Sequence, residues 1–481
     1  MASNGISLNN LGKSRRMAVL AICSMSLFIV GIDNTIINVA LPSMGRDLRA
    51  SVSGLQWTVD AYTLVLASLL MLSGSTGDRI GRRRTFQIGL TVFSMGSLLC
   101  SLAPNLGFLV AFRMLQAIGG SMLNPVALSI ITNTFTEPKE RAQAIGIWGA
   151  VIGVSMALGP ILGGALVDSV GWRSIFWINV PIGIAAFVLA GKFIPESRAD
   201  HARKLDPIGQ LLILTFLASA TFGIIEGPAS GWGSVKIVTT FSVAAIALVL
   251  LLIYEPRRNE PLIDLRYFRS IPFSGATLVA IAAFGSLGGF LFMNTLYLQN
   301  IRGLSPLSAG IDTLPMAIMT IFAAPLSGRI VGSYGPRVPL LVGGLGIGLS
   351  SLALTGLSAT TPFSWLFGAY LVFGIGFGLV NAPITNAAVS GMPRQQAGVA
   401  AAVASTSRQV GQSLGVAIVG AMLSVAMGGN LNGNLAGASH SSWWLLVGFG
   451  TTIFCLGLIM TSGFAKASVA NVASIFSFSS E

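Results

Sequence analysis

The chain has 481 residues, of which 53% are hydrophobic and only 9% are charged, and its mean hydropathy is +0.79. So apolar a composition excludes a soluble globular fold, because such a fold needs a polar shell. The formal net charge of +12 would suit nucleic acid or another acidic partner. The positions of the basic residues give this charge a different explanation.

Uncharged spans of about 20 residues, long enough to cross a bilayer as helices, occur about fourteen times along the chain. The first span, residues 17–43, is too long for a cleavable signal peptide and has no small-residue cleavage site before Asp33. Of the 28 lysines and arginines, 21 fall in the N-terminal tail, the loops after even-numbered spans and the C-terminal tail. This bias predicts that both termini are cytoplasmic, and we expect no nucleic-acid partner. It requires an even number of spans, which twelve would satisfy as well as fourteen.

The first span carries polar residues in an otherwise apolar helix, in the segment Gly31-Ile-Asp33-Asn34-Thr-Ile-Ile-Asn38-Val-Ala-Leu-Pro42. Asn34 and Asn38 share the helix face beside that of Asp33, so a polar stripe points into the bundle. The segment resembles the first-helix motif of the fourteen-span drug:proton antiporters. The resemblance implies that Asp33 takes part in proton coupling or binds cationic substrates. A carboxylate inside a membrane is costly and by default functional; the alternative is an acid permanently paired with an arginine.

The loop after the second span reads Gly74-x3-Asp78-Arg79-x-Gly81 and is followed by arginines 82–84. It resembles the signature loop of the major facilitator superfamily. Its glycines permit a tight cytoplasmic turn, and Asp78 can accept hydrogen bonds from an arginine or from a neighbouring helix N-terminus. We expect Asp78 to be a latch that holds the cytoplasmic ends of the two halves together in the outward-facing state. The three arginines are interpreted as a topology signal.

The fourth span carries Arg113 in the segment Phe-Arg-Met-Leu-Gln116-Ala117-Ile-Gly-Gly. This segment resembles the superfamily's Arg-x2-Gln-Gly pattern, with Ala117 in place of the first glycine, and the resemblance implies a role for Arg113 in proton transfer. Asp60 lies about 9 Å inside the outer end of the second span, and Arg113 enters from the same side at similar depth. We therefore expect Asp33, Asp60 and Arg113 to form one cluster.

The fifth span, residues 146–164, combines an uncharged apolar run with Gly159, Pro160, Gly163 and Gly164. Small residues let helices approach closely, and proline bends a helix, so the run indicates close packing against a neighbouring helix. The order Gly-x8-Ser-x3-Gly-Pro-x2-Gly-Gly resembles the antiporter motif in the fifth helix of major facilitator exporters, with a serine at one usual glycine. The resemblance implies export in exchange for another solute; ordinary packing is the alternative.

An internal repeat divides the chain into two halves, because the loop after the second span recurs in weaker form at residues 328–337, after the tenth. Paired halves are typical of transporters that bind substrate between them near the membrane midplane. The predicted fold class is an all-α polytopic membrane protein with the major facilitator fold and fourteen transmembrane helices. We expect an N-terminal tail (1–16), a six-helix bundle (17–194), a linker with two extra peripheral helices (195–271), a second six-helix bundle (272–464) and a cytoplasmic C-terminal tail (465–481).

Large apolar side chains and a few polar ones are candidates to line a pocket for lipophilic substrates, because a hydrophobic pocket needs few hydrogen-bonding groups. Most such residues in a membrane bundle face lipid or the core, so each one alone is a weak indication. Arg408 is equally consistent with a structural role, holding hydroxyls and carbonyls. The candidates are Asn34, Asn38, Trp57, Tyr62, Trp148, Asn294, Tyr297, Asp312, Asn381 and Arg408.

The sequence carries no sign of enzymatic or metal chemistry. The three cysteines fall within apolar spans and offer neither a disulfide framework nor metal-ligand spacing. The glycine-rich strings lie inside apolar spans, where they pack helices rather than bind phosphate, and there is no Walker loop. The two histidines, His201 and His440, are both placed in loops. We expect no enzyme, no metal and no cofactor.

The resemblance covers nearly the whole chain, and it implies a monomeric exporter of lipophilic, often cationic, compounds that is driven by the proton gradient. Its partners would be membrane lipids, protons and the exported small molecule. The 22 arginines against 6 lysines suggest a bacterial source, and hence the cytoplasmic membrane. Two alternatives stay open: a translocator of lipids or lipid-linked metabolites, and a membrane sensor or scaffold without transport.

Overall fold

The computed structural model describes residues 12–199, 205–258, 260–390, 397–427, 435–465, 467–469 and 472. Within this part of the chain, fourteen long helices follow one another and are numbered here in chain order. They are α1 Lys13–Asp47, α2 Val52–Ile80, α3 Arg82–Ser101, α4 Leu106–Thr134, α5 Pro138–Ser169, α6 Ser174–Phe193, α7 Pro207–Ser230, α8 Val235–Tyr254, α9 Ile271–Leu296, α10 Pro306–Tyr334, α11 Arg337–Leu354, α12 Phe363–Val389, α13 Ala397–Ala426 and α14 Leu435–Met460.

Thirteen of these helices are long and apolar enough to cross a membrane, by length and composition. The remaining one is α3, which opens on three arginines at residues 82–84 and is less apolar. It nevertheless packs along α4: a Cβ at Gly119 of α4 would lie 2.2 Å from the backbone nitrogen of Phe93 in α3. The fourteen-helix prediction is therefore confirmed, with α3 held among the apolar helices by close backbone packing.

Three of the spans depart from straight α-helices. α6 is interrupted at Ile178, between a short segment that ends at Trp177 and a longer one that begins at Asn179. α9 continues as a π-helical turn, Tyr297–Ile301. α10 is interrupted at Thr313, two residues before Pro315. Proline has no backbone N–H and its ring clashes with the preceding helical turn, so it interrupts a helix. Such interruptions free backbone groups, and membrane proteins tolerate them where other protein groups satisfy them.

The repeat predicted from the sequence appears as two equivalent turns. Gly81 joins α2 to α3 with φ +117°, and Gly335 joins α10 to α11 with φ +81°. Both values are in the region that side chains with a Cβ rarely adopt, so glycine is required at each turn. One position differs from expectation: α14 begins at Leu435, so His440 lies in a helix and not in a loop. Its ring contacts the backbone oxygen of Leu357 at 2.9 Å.

Helices α1–α6 form one bundle, called the N-bundle here, and α9–α14 form the C-bundle. The two extra helices, α7 and α8, pack on each other as a hairpin: a Cβ at Gly223 of α7 would lie 2.7 Å from the Phe241 ring of α8. The hairpin contacts the bundles through α7, which packs against both α2 and α13. Gln210 of α7 also donates a hydrogen bond to the Ser68 backbone oxygen of α2.

The two bundles contact each other at one end of the molecule, called the closed end here, which carries residues 48–51, 170–173 and 302–305. Gln299 Nε2 donates to the Val39 oxygen across this contact at 2.8 Å. Toward the other end, called the open end, α5 and α10 diverge. A Cβ at Gly146 or Gly149 of α5, or at Gly328 or Gly332 of α10, would meet nothing within 4 Å.

Candidate functional site

The centre of the N-bundle holds an ion pair between α1 and α4. Arg113 Nη1 donates to Asp33 Oδ2 at 2.5 Å, and both side chains are only 1% exposed. Arg113 Nε also donates to the Thr58 backbone oxygen of α2 at 3.3 Å. The Tyr62 ring of α2 lies against the guanidinium, 4.2 Å from its carbon to the ring centroid. A buried arginine thus meets a carboxylate, a carbonyl and an aromatic face, which together offset its desolvation.

Two amide side chains complete the carboxylate's surroundings. Gln116 Nε2 donates to Asp33 Oδ1 at 2.8 Å, and its own oxygen accepts from Arg113 Nη1 at 2.8 Å. Asn179 Nδ2 donates to the same Asp33 oxygen at 3.1 Å and to Ser97 Oγ at 3.0 Å. Asn179 is the first residue after the interruption of α6. Neither Gln116 nor Asn179 was among the expected site residues, although both are polar residues in apolar spans and Gln116 belongs to the Arg-x2-Gln segment.

Asp60 does not belong to this cluster. Its side chain is fully buried and neither carboxyl oxygen has a hydrogen-bond partner. It faces α13, where the Ser413 hydroxyl lies close enough to interact with the carboxyl but not in hydrogen-bonding geometry. The expectation of one cluster is therefore wrong for Asp60. Its depth in the helix was consistent with Arg113, but Asp60 and Tyr62 are about 200° apart around α2, and Tyr62 is the residue that faces Arg113.

The contact between α2 and α13 closes one side of the closed end. Gln56 Nε2 donates to the backbone oxygens of Ala417 at 2.7 Å and Val416 at 3.3 Å. Gly420 leaves the space that the Gln56 side chain fills, since a Cβ there would lie 2.4 Å from its amide carbon. Asp60 lies one turn farther along α2. Its carboxyl is therefore buried only as long as α2 and α13 stay in contact.

The contact between α5 and α10 closes the other side. A Cβ at Gly164 of α5 would lie 2.5 Å from the Leu307 Cα, and a Cβ at Gly310 of α10 would lie 2.3 Å from the Pro160 oxygen. The Leu307 backbone N–H also donates to Asp168 Oδ2 at 3.0 Å. At Gly164 and Gly310 the backbones of the two bundles touch, and only glycine fits.

The other two glycines of the α5 motif face a different neighbour. A Cβ at Gly159 would lie 1.9 Å from Thr35 Oγ1, and one at Gly163 would lie 2.6 Å from the Ile36 side chain. Thr35 and Ile36 belong to α1, so these contacts lie within the N-bundle. The motif thus has two faces: Gly159 and Gly163 hold α5 on α1, whereas Gly164 and the Pro160 oxygen meet the C-bundle.

The loop after α2 is bound within the N-bundle. Asp78 accepts hydrogen bonds from Arg82 Nη2 at 2.8 Å and Nε at 3.1 Å. Arg79 is exposed, and a Cβ at Gly74 would lie at an ordinary contact distance of 3.7 Å from the Pro125 side chain. The expected arginine partner of Asp78, near the end of α2, is therefore Arg82, the first residue of α3.

The neighbouring helix N-terminus, that of α3, is instead capped by Glu196. Its carboxylate accepts from the backbone N–H groups of Arg83 at 3.0 Å and Arg84 at 3.2 Å. A Cβ at Gly81 would lie 2.6 Å from this carboxylate. Gly81 therefore makes room for Glu196 as well as for the turn, a role that the sequence pattern alone did not indicate.

Several expected pocket residues lie inside a bundle or against the hairpin, and this corrects the expectation for them. Each has its polar group satisfied away from the space between the bundles, or is fully enclosed by its own bundle. Trp57 donates to Glu226 of α7 at 2.9 Å, and Tyr62 stacks on Arg113. Asn294 accepts from Tyr370, and Tyr297 donates to the Ser358 backbone oxygen at 2.6 Å. Asn38 donates to the Asn34 backbone oxygen of its own helix at 3.2 Å. The remaining candidates are partly exposed, as Trp57 also is: Asn34, Trp148, Asp312, Asn381 and Arg408.

Arg408 of α13 lies inside the C-bundle, between α9 and α12. Its Nη2 donates to Thr385 Oγ1 of α12 at 2.6 Å and contacts the Asn381 oxygen at 3.5 Å. The Phe284 ring of α9 lies 5.7 Å from the guanidinium carbon. Its Nε is buried and has no hydrogen-bond partner. Unlike Arg113, this arginine forms no ion pair with any described residue.

Curated relatives match most of the chain. The tetracenomycin C resistance and export protein of Streptomyces glaucescens is 36% identical over 418 residues, which are 86% of this chain and 77% of that protein. The multidrug resistance protein Stp of Mycobacterium tuberculosis is 35% identical over 420 residues, 87% of this chain and 78% of its own. The multidrug efflux pump LfrA of Mycolicibacterium smegmatis is 31% identical over 419 residues, with shares of 87% and 83%.

Solved structures show the same fold. A bacterial homolog to the human lysosomal transporter Spinster, in an inward-facing and occupied conformation, gives a TM-score of 0.68 at 18% identity, covering 96% of this chain and 99% of that one. A D-xylose-proton symporter gives 0.66 at 14% identity, covering 93% and 97%. Residues 23–416 match the Major Facilitator Superfamily. The chain therefore belongs to this superfamily, as a multi-pass membrane transporter of its fourteen-helix drug-efflux branch and not an enzyme.

Proposed function

We propose that the chain exports lipophilic small molecules across the cytoplasmic membrane in exchange for protons, by alternating access to the space between the two bundles. The names of the relatives, which refer to drug resistance and export, support the direction and the kind of substrate. The bias of basic residues supports cytoplasmic termini, which places the open end in the cytoplasm. The arrangement described above is then the inward-facing state.

The buried Asp33–Arg113 pair is the observation that carries the proton coupling. It is a titratable carboxyl at 1% exposure, bonded to side chains from α4 and α6. Protonation of Asp33 removes the negative charge that holds Arg113, so one proton changes the contacts among α1, α4 and α6. Separation of two such charges is costly in a membrane interior. Proton binding would therefore alter the packing of the N-bundle and, through it, the balance between the two states.

Asp60 supplies a second carboxyl, and its access to solvent protons depends on whether the transporter is inward- or outward-facing. An ionised carboxylate without a hydrogen bond is costly in a buried site, so Asp60 would exchange its proton only when α2 and α13 separate. That separation is the opening of the closed end. Asp60 would then exchange protons with the outer solution, on the side from which the gradient drives protons inward.

Transport in proteoliposomes tests the proposal. With an imposed pH gradient, we expect transported dyes to move protons in the opposite direction, reported by pyranine inside the vesicles, and nigericin to stop the net movement. Flux of a dye that does not respond to the gradient would contradict proton coupling. Flux of fluorescent lipids without dye flux would indicate the lipid translocator, and no flux of any compound in a broad panel would favour a sensor or scaffold.

Arg113 should tolerate neither of two substitutions. Arg113→Lys keeps the charge but cannot reach Asp33, Gln116 and the Thr58 oxygen at once, because lysine lacks the planar fork. Losing one charge-assisted hydrogen bond costs about 1.5–3 kcal/mol, so we expect gradient-driven export to fall roughly tenfold or more. Arg113→Ala leaves Asp33 buried without a counter-charge and should stop the cycle after substrate binding.

The measurement for these two variants is gradient-driven export beside substrate binding and thermal melting of the purified protein. Arg329→Ala, at an exposed arginine of α10, is the matched control and should export normally. An Arg113→Ala protein that pumps at the normal rate would show that the pair is structural and that coupling lies elsewhere.

A further inference from the structure

Arg408 lies inside the C-bundle, on helices that also contact the N-bundle. Its guanidinium is at the junction of α9, α12 and α13. α9 meets α1 across the interface through the Gln299–Val39 hydrogen bond, and α13 meets α2 through Ser413 and Asp60. The residue is partly exposed and its partner Thr385 is exposed. Both are nearer the open end than Ser413 is, so a molecule entering from that end would meet them first.

The charge of Arg408 is not balanced by an acid. Among the described residues, no carboxylate lies within 4 Å of it. The acids expected at the site are engaged or distant: Asp33 is bound by Arg113, Asp60 is enclosed between α2 and α13, and Asp312 lies at the interruption of α10 near the closed end. Arg408 is thus a positive charge in the membrane-spanning part of the C-bundle without a counter-ion among the described residues.

The donors of Arg408 are only partly used. Both of its hydrogen bonds come from Nη2, and the one to the Asn381 oxygen is long at 3.5 Å, while Nε has none. An arginine inside the membrane without a counter-ion is costly, and its fork matches a carboxylate or another acidic oxygen group bidentately. The Phe284 ring beside it stacks edge-on against Phe377, with centroids 5.1 Å apart, and supplies a flat apolar wall.

From this arrangement we propose that the exported compounds are lipophilic molecules with an anionic or acidic oxygen group, which Arg408 binds with help from Thr385, rather than lipophilic cations. The inference rests on the export function proposed above and names its substrate class. It departs from the sequence-based expectation of cationic compounds. That expectation depended on Asp33, whose charge is already neutralised by Arg113.

The test is binding to the purified protein without any gradient, measured by fluorescence polarisation with two dyes of the same xanthene scaffold, anionic fluorescein and cationic rhodamine 6G. We expect fluorescein to bind at least tenfold more tightly than rhodamine 6G. Arg408→Gln should weaken fluorescein binding at least tenfold and change rhodamine 6G binding less than twofold. Arg408→Lys should retain part of the fluorescein affinity, and Thr385→Val should lose a few fold. Arg329→Gln, on an exposed arginine of α10, should change neither.

Two results would overturn the proposal: rhodamine 6G binding as tightly as fluorescein to the unmodified protein, or an Arg408→Gln protein of normal melting temperature that keeps its fluorescein affinity. If Arg408→Gln does not fold, unchanged fluorescein affinity in both Arg408→Lys and Thr385→Val would be equally decisive against it. Because binding is measured without a gradient, the two proposals can fail separately. A negative binding result would refute the anionic substrate class and not proton-coupled export. Uncoupled flux would refute proton coupling and not the dye preference.

Discussion

Asp33→Asn is expected to abolish gradient-driven export, because it keeps the shape of the side chain and removes its only titratable proton. The asparagine oxygen can still accept from Gln116 and Asn179, which donate to Asp33 Oδ1. Its amide nitrogen, however, would replace the oxygen that Arg113 Nη1 contacts at 2.5 Å, so two donors would face each other. Leaving a buried charge without its partner costs about 3–5 kcal/mol.

The export loss must therefore be separated from loss of folding. We expect Asp33→Asn to melt at a lower temperature yet still bind substrate, while pH-gradient-driven flux falls to the level of empty vesicles. Asp47→Asn is the matched control, since this acid lies on the same helix and its ion pair with Arg173 is exposed; it should keep both stability and most of the flux. Full active transport by the Asp33→Asn protein would remove Asp33 as the proton carrier.

Gly164→Leu should shift the protein toward the outward-facing state, in which the two bundles separate at the closed end. A Cβ at this position already lies 2.5 Å from the Leu307 Cα of the other bundle, and a leucine would force α5 and α10 apart there. The N-bundle itself should stay folded, because the side chain points away from α1. Gly149→Leu is the matched control on the same helix, since a Cβ at Gly149 meets nothing within 4 Å.

Accessibility of a cysteine at position 413 reports this shift. Ser413 is 3% exposed in the α2–α13 contact, so a Ser413→Cys protein should react with maleimide only when that contact opens. The exposed Cys455 is first changed to serine so that it does not react. We expect Gly164→Leu to raise the labelling rate at least tenfold and to lower the turnover of export by a similar factor. Labelling as slow as in the Gly149→Leu protein would show that Gly164 serves helix packing and does not affect the balance between the two states.

The fold could be read from the sequence because its determinants are local: apolar length and the distribution of arginines. The pairing of Asp33 with Arg113 was also within reach, since two opposite charges at similar depth in neighbouring helices have few other partners. Asp60 was misplaced because depth gives the height of a residue and not its direction around the helix. Asn179 was missed because its position depends on the interruption of α6, which the apolar pattern does not reveal.

The α5 motif shows the same limit in another form. The pattern Gly159-Pro160-x2-Gly163-Gly164 indicated close helix packing, which the structure has. Which neighbour each glycine meets depends on the position of the C-bundle, and no local pattern contains that information. Adjacent residues Gly163 and Gly164 therefore contact different bundles. A substitution at Gly159 or Gly163 would test the stability of the N-bundle and not the movement between states.

The position of α7 has a consequence for the route by which lipophilic compounds arrive. The two bundles meet along two seams, α2 with α13 and α5 with α10, and α7 packs against both helices of the first seam. Membrane-dissolved molecules are therefore shielded from that seam by the hairpin. Along the second seam, Gly146 and Gly149 of α5 and Gly328 of α10 face open space. Entry from the bilayer would thus be one-sided, through the gap between α5 and α10.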